Sequence, residues 1–356
     1  MKILRPITIL ASCLLLAENA SAQVSLTPAG VEQAPAENKP AAKPKPKPPA
    51  VAKKPAAPAT TSNPAAPAAA TPAAVPDDPN ADLVYGAYQR GQYKTAFDLA
   101  TKRAQETGDP KAMTMLGELY ANAMGVKRDY AKAADWYKRA ADSGDREAMF
   151  ALAMLRLGGR GGPVNREEAV KLLASSAKLG NPKAAYNLAL LYLDGQTLPQ
   201  DLKRAAELLR VAADAGNPEA QYALATFYKE GTGVEKDINK AVRLLQAASL
   251  ADNVDAEVEY AIALYNGTGT PKNETAAVAL LRKAAKQNSP IAQNRLARVL
   301  VTGQGAPVDK VEGLKWHIIA KTAGRGDPML DEALADLSSE DRAKAQETAR
   351  RWLGSK

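Results

Sequence analysis

A period of 36 residues constrains this chain more than any other feature of its sequence. Alanine recurs at that spacing from Ala112 to Ala292, and a second alanine series runs from Ala133 to a final Gly313. A third series places Asp or Asn at Asp129, Asn165, Asp201, Asp237, Asn273 and Asp309. Three independent series over six consecutive units indicate a repeat protein in which each unit packs on its neighbours.

Each unit predicts two helices, A and B. Starts such as Gly180-Asn181-Pro182 suit an N-cap followed by the first residue of helix A. Most units then carry a Gly-x-Gly loop, as at Gly231 and Gly233, where glycine allows a positive φ. The Asp or Asn series caps helix B. Because two short amphipathic helices cannot bury their apolar faces alone, we expect successive pairs to stack.

These residues resemble the Sel-one-like repeat family, relatives of the tetratricopeptide repeats. The segment from Gly216 to Ser249 matches the family pattern closely, and the resemblance extends over roughly residues 85 to 350. It implies an all-α fold: a right-handed α/α solenoid of six helix-pair repeats with helical caps, which binds other proteins. The chain departs from the pattern where Asp252 and Asn288 replace the starting glycine and where Gln196-Thr197 follows a lone Gly195.

The composition changes along the chain and predicts five regions. We expect a signal peptide at residues 1–22, a disordered linker at 23–80, a capping helix pair at 81–107, the solenoid at 108–326 and a helical cap at 327–356. Solenoids need such polar end units for solubility. Ser339 is the predicted N-cap of the last helix.

The amino terminus is typical of an export signal. Lys2 and Arg5 precede a short apolar stretch, and the small residues Ala20-Ser21-Ala22 suit cleavage before Gln23. The stretch is about half of the ~20 residues that a membrane span requires. These features predict a periplasmic or secreted protein. In the alternative, the residues before Cys13 form a lipobox and Cys13 carries a lipid, although the apolar run continues past it.

The Pro-, Ala- and Lys-rich residues 23–80 cannot bury a core, so we expect an extended, disordered linker. It could act as a spacer. In a second interpretation, its lysines associate weakly with anionic lipid or cell-wall polymer. The formal net charge is +8, and elsewhere in the chain the basic residues are interspersed with acidic ones. This pattern disfavours nucleic-acid binding.

The sequence offers little for catalysis. Cys13, the single cysteine, lies in the predicted signal, and His317 is the single histidine, so a His/Cys zinc site is not expected. The Gly-x-Gly pairs recur at the repeat period and lack a following Lys-Ser/Thr, which favours turns over phosphate loops. We therefore predict no enzymatic activity and no cofactor.

A candidate binding surface follows from the helical geometry of helix A. Ala112, Leu116 and Tyr120 share one face, and positions 114 and 118 lie about 160° away. In the four middle units these two positions are mostly apolar or aromatic, whereas the end units carry Thr114, Asn294, Glu118 and Arg298. The predicted protein-binding residues are Phe150, Met154, Tyr186, Leu190, Tyr222, Thr226, Val258 and Ile262.

Two interpretations of this stripe remain open. The residues could line a groove that grips a partner segment, as aromatic anchors with polar surroundings do. They could instead pack on the next unit's helix A as core, in which case Phe150, Tyr186 and Tyr222 should be almost fully buried. The first interpretation predicts an exported, protein-binding envelope scaffold. Its alternative is a polysaccharide- or peptidoglycan-associated factor, favoured by the mild positive charge and the lysine-proline tract.

Overall fold

The computed structural model describes residues 82–355, and all of the regular structure in this range is helical. The predicted all-α class and the stacking of consecutive helix pairs are confirmed. The predicted signal peptide, Cys13 and the linker lie outside the described residues. The first pair comprises α1 (Leu83–Gln89) and α2 (Tyr93–Thr107).

Six A/B pairs follow, and each of their helices has 13 residues. The A helices are α3 (Pro110–Asn122), α5 (Arg146–Gly158), α7 (Pro182–Asp194), α9 (Pro218–Glu230), α11 (Val254–Asn266) and α13 (Pro290–Thr302). The B helices are α4 (Tyr130–Asp142), α6 (Arg166–Lys178), α8 (Leu202–Asp214), α10 (Ile238–Leu250), α12 (Glu274–Lys286) and α14 (Lys310–Thr322). Through α14, each helix packs on its neighbours in the chain.

Capping side chains set the start of every helix in the six pairs. Each predicted Asp or Asn of the 36-residue series accepts a hydrogen bond from a backbone N–H of its B helix, as Asp237 does from Lys240 at 2.9 Å. Asp252 and Asn288, which replace a glycine, adopt the left-handed backbone at φ 60° and 65°. The substitutions therefore leave the local geometry of the repeat unchanged.

The two glycines of a loop do different things. In the fourth unit, Gly231 ends α9 with φ 79°, and a Cβ there would meet Lys236 at an ordinary 3.4 Å. Gly233 has φ 65°, and its Cβ would overlap the Leu202 carbonyl at the start of α8. The second glycine thus lets the loop lie against the preceding unit, and it belongs to the junction between units.

Alanine fills the space between helices. Ala184, Ala220, Ala256 and Ala292 are fully buried, and the leucines four residues after three of them are among the core side chains. A small side chain at a repeated position lets helix axes come close, so that leucines from both helices interdigitate. The core is therefore a row of apolar clusters between the A and B helices, and it leaves the other face of each A helix for other contacts.

Two further helices close the carboxyl end, α15 (Pro328–Ala335) and α16 (Ser339–Gly354). The Trp316 and Trp352 rings meet edge to face at 5.2 Å and join α14 to α16. The predicted N-cap Ser339 is wrong by one residue. Ser338 is the cap, because it is extended and its Oγ accepts the Asp341 N–H at 3.1 Å, three residues on. Among residues 82–355, no helix is long and apolar enough to cross a bilayer.

Candidate protein-binding surface

The predicted stripe lies on the A helices, on the side away from the core row. Phe150, Tyr186 and Tyr222 are each half-buried, so they do not show the almost complete burial expected of pure core residues. Met154, Thr226 and Ile262 are half-buried as well. Leu190 and Val258 differ, since their exposed fractions are 3% and 4%. They support the surface from beneath and do not contribute to what a partner could touch.

Each aromatic side chain of the stripe covers a junction between units. Phe150 packs on a cluster that includes Ala184 and Leu188 of the following unit. In the same way, Tyr186 packs on a cluster that includes Ala220 of the fourth unit, and Tyr222 packs on one that includes Ala256 of the fifth. The rings are therefore fixed on one side by the core and exposed on the other. Such partly fixed aromatic groups lose little side-chain entropy when a partner covers them.

Polar residues at the equivalent positions of the end units link neighbouring units by hydrogen bonds. Thr114 Oγ1 donates to Asp145 Oδ1 at 3.1 Å, and Asn294 Nδ2 donates to Asp327 Oδ2 at 3.2 Å. Both acceptors are at the start of the next A-type helix. These residues give the stripe polar ends, as the sequence pattern predicts. Their side chains are engaged in hydrogen bonds between neighbouring units.

Tyr222 combines both kinds of contact. Its hydroxyl donates to Glu259 Oε1 at 3.3 Å, and Lys229 Nζ lies 2.7 Å from the other oxygen of that carboxylate. Burial raises the pKa of Tyr222, and the charges of Glu259 and Asp255 raise it further. The phenol is therefore a hydrogen-bond donor at neutral pH, oriented by an acidic side chain of the next unit.

The stripe ends in a cavity between α11 and α13 that the two-position series did not predict. Its volume is about 230 Å³, and Ile262, Tyr265, Val299 and Met329 form much of its apolar wall. Arg295 also lines it, from the repeat position after Asn294. The signal for it was present in the sequence, since no other unit places a cation at that position, and Glu259 is its counterpart one unit earlier.

No group of three or more acidic or histidine side chains within residues 82–355 has the arrangement of a metal site. His317, the single histidine of the sequence, is fully buried in α14, and its Nε2 lies 2.8 Å from Asp331 Oδ1. That contact joins α14 to α15. The geometry of this histidine therefore accounts for packing of the cap and offers a substrate no access to it.

Comparison with known proteins places these repeats in a family. Six consecutive segments match the family model described as Sel1 repeat, at residues 110–145, 146–181, 182–217, 218–253, 254–289 and 290–324. They make up more than half of the chain. No curated protein matches the chain.

Solved structures share the fold. A Sel1 repeat protein from Oxalobacter formigenes is 26% identical with a TM-score of 0.61, and the match covers 67% of this chain and 98% of that one. A protective antigen present in uropathogenic Escherichia coli strains, which displays an SLR fold, is 24% identical with a TM-score of 0.50. That match covers 76% of this chain and 67% of the antigen.

Proposed function

The chain belongs to the Sel1 repeat family, and from that premise we propose that it is an exported adaptor of the bacterial cell envelope that holds a partner protein on the stripe of its A helices. Proteins of this family are generally protein-interaction scaffolds, and their fold is typically non-enzymatic. The observation that carries the proposal is the partial burial of Phe150, Tyr186 and Tyr222, which leaves a row of anchored aromatic groups on the surface.

The physical reason is the cost of exposing such a row. Apolar side chains that repeat along one face of a soluble protein form a patch, and contiguous patches mark interaction sites. Aromatic residues contribute disproportionately to the energy of protein interfaces, especially where polar residues surround them. Thr114 and Asn294 lie at the two ends of the row and supply that polar border. A linear row of this kind suits an extended segment or a helix of a partner better than it suits a compact patch of partner surface.

The envelope location is part of the proposal and derives from the amino-terminal sequence. Lys2 and Arg5, the short apolar stretch and Ala20-Ser21-Ala22 are the features of a cleavable export signal. The proline-rich residues 23–80 would then separate the repeats from the point of emergence, with weak attraction of their lysines to anionic envelope components as an addition. The first residue and mass of the mature protein test this, since a lipid on Cys13 would indicate an anchored form.

Site-specific photo-crosslinking tests the binding surface. The photoreactive amino acid p-benzoylphenylalanine would replace Tyr186 or Tyr222 in the chain produced in its own cells, followed by irradiation. Matched controls place it at Val211 and Leu250, which are exposed on the B helices at 48% and 79%. We expect adducts with a polypeptide from the two stripe positions and none, or far weaker ones, from the controls.

A second arm separates binding from stability. The double variant Tyr186→Ala/Tyr222→Ala should lose partner capture while it keeps its helicity, whereas Val211→Ala/Leu250→Ala should keep both. Unfolding of the first variant would favour a purely structural role for the two rings. If muramidase treatment before irradiation abolishes the adducts, the glycan-associated alternative is favoured. Equal adducts from all four positions would contradict the proposal.

A further inference from the structure

The cavity between α11 and α13 combines an apolar wall with a cation that has no partner. Arg295 is half-buried, and it makes no hydrogen bond or ion pair with any residue in the described range 82–355. Burial lowers the pKa of Arg295, and the nearby charge of Arg298 lowers it further. A guanidinium remains charged in a protein all the same, so this site holds a positive charge that is deprived of part of its hydration.

The neighbouring Arg298, in contrast to Arg295, has a counter-ion. Its Nε lies 2.5 Å from Asp327 Oδ2, and the Asp327 side chain is only 2% exposed. Asn294 donates to the same oxygen. Arg298 is therefore neutralised by a buried carboxylate of the cap, although it lines the same cavity. Of the described charged groups on the cavity wall, Arg295 is left without a counter-ion.

The chemistry of a ligand for this cavity follows from the two features together. A planar guanidinium pairs with a carboxylate through two parallel hydrogen bonds, and partial burial strengthens that pairing. The apolar wall, with Ile262 on one side and the 38% exposed Met329 near the rim, requires a hydrophobic group next to the carboxylate. The ligand must therefore present both groups within a small distance.

The size of the cavity selects among carboxylates. At about 230 Å³ it is smaller than the ~300–1,000 Å³ of pockets for drug-sized ligands. An internal Asp or Glu would have to bring main chain in on both sides of its carboxylate. The last residue of a protein carries its carboxylate and its side chain on one Cα, so that both fit a single small cavity.

We propose that this cavity binds the C-terminal residue of the partner protein, with its free carboxylate on Arg295 and its apolar side chain against Ile262 and Met329. The inference rests on the proposed function, because it names the chemistry of the partner at one end of the same stripe. The stripe would then hold the chain that precedes this terminus. Arg295 would both increase the affinity and fix which end of the partner lies at the sixth unit.

N-acetyl-L-leucine is a direct probe, since it has one free carboxylate, one acetylated nitrogen and one apolar side chain. Ligand-observed saturation-transfer NMR with the purified full chain would measure it, and ligand efficiency places the expected Kd on the order of 1 mM. N-acetyl-L-leucinamide lacks the charge and should bind at least about tenfold more weakly, the factor for one charge-assisted pair. The α-amide of N-acetyl-L-glutamate carries its carboxylate on the side chain and should also bind more weakly.

Three variants complete the test. Arg295→Met should reduce N-acetyl-L-leucine binding by at least about tenfold, and Arg295→Lys should restore part of it as a point charge without the bidentate geometry. Arg243→Met removes an exposed arginine from α10 and should change nothing. If Arg295→Met does not fold, the comparison of acid with amide on the unmodified protein still decides.

Equal binding of acid and amide, no binding of either, or unchanged binding to Arg295→Met would overturn the inference. Tighter binding of the glutamate α-amide would overturn the assignment to a chain terminus in favour of an internal acidic residue. These results concern the cavity alone. Cross-linking at Tyr186 and Tyr222 could still succeed in that case, so that failure here is distinguishable from failure of the proposed function.

Discussion

Replacing either glycine of one loop with alanine separates two physical costs. Gly231 and Gly233 both have left-handed backbone, at φ 79° and 65°. Alanine in that conformation costs about 1–2 kcal/mol at each position. At Gly231 the added Cβ makes an ordinary contact with Lys236, whereas at Gly233 it overlaps the Leu202 carbonyl of the preceding unit. Forced overpacking adds about 1–3 kcal/mol.

Gly231→Ala should therefore lower the free energy of unfolding by about 1–2 kcal/mol and Gly233→Ala by about 2–5 kcal/mol. Gly216→Ala is a further control, since its φ is 84° and a Cβ there would meet nothing within 4 Å. Urea unfolding followed by far-UV circular dichroism measures all three. Because solenoid stability is a sum of unit and interface terms, weakening one interface should also broaden the transition and lower the m-value of Gly233→Ala alone.

The reasoning would be refuted if the three variants lost equal amounts of stability. It would also be refuted if Gly231→Ala, and not Gly233→Ala, lowered the m-value. In either case the second glycine would matter only for its backbone conformation, and the close approach of the loop to α8 would have no energetic consequence.

Three further changes test the packing and the charges. Leu224→Ala should cost about 2–5 kcal/mol in urea unfolding, because Leu224 is 2% exposed and leaves a cavity. Lys283→Met should cost about 1–3 kcal/mol, since Lys283 Nζ lies 2.6 Å from the fully buried Glu257, and adding Glu257→Gln should recover most of the loss. Burial raises the pKa of Asp327, but hydrogen bonds from Arg298 and Asn294 outweigh it and hold the pKa below the ordinary 3.8. The stability that Asp327 contributes is then present above pH 3.8 and is lost as the pH falls through the lower pKa of the folded state. Asp327→Asn should reduce stability at pH 7 and flatten that acid dependence, measured by tryptophan fluorescence in urea.

Much of the fold could be predicted from local chemistry that repeats. The Asp and Asn series identified the start of every B helix, because an N-cap needs only a short polar side chain at one position. Ser338 was missed in favour of Ser339 because two adjacent serines satisfy the same rule. Asp341, three residues after Ser338, distinguishes them, because this capping pattern can be read from the local sequence without the tertiary structure.

The candidate surface could be predicted only in part. Helical periodicity placed positions 114 and 118 on the face away from helix B, and Tyr186 and Tyr222 lie there half-buried. It could not show that Leu190 and Val258 are covered, since that depends on how closely the adjacent A helices approach. Arg295 was missed for a related reason: whether a cation has a partner depends on side chains from other units, here the capture of Asp327 by Arg298.

The junction glycines have a consequence for how such a protein can change in length. Every contact described between repeat units joins immediate neighbours, and the glycine at the second loop position meets the preceding helix pair in five of the six units. Excision of residues 218–253 would remove one entire copy, along with Tyr222, and would bring α8 directly before α11. The length of the repeat array can therefore change only by whole repeats. Duplication and loss of repeats would then adapt the array to the size of a partner more readily than point substitution would.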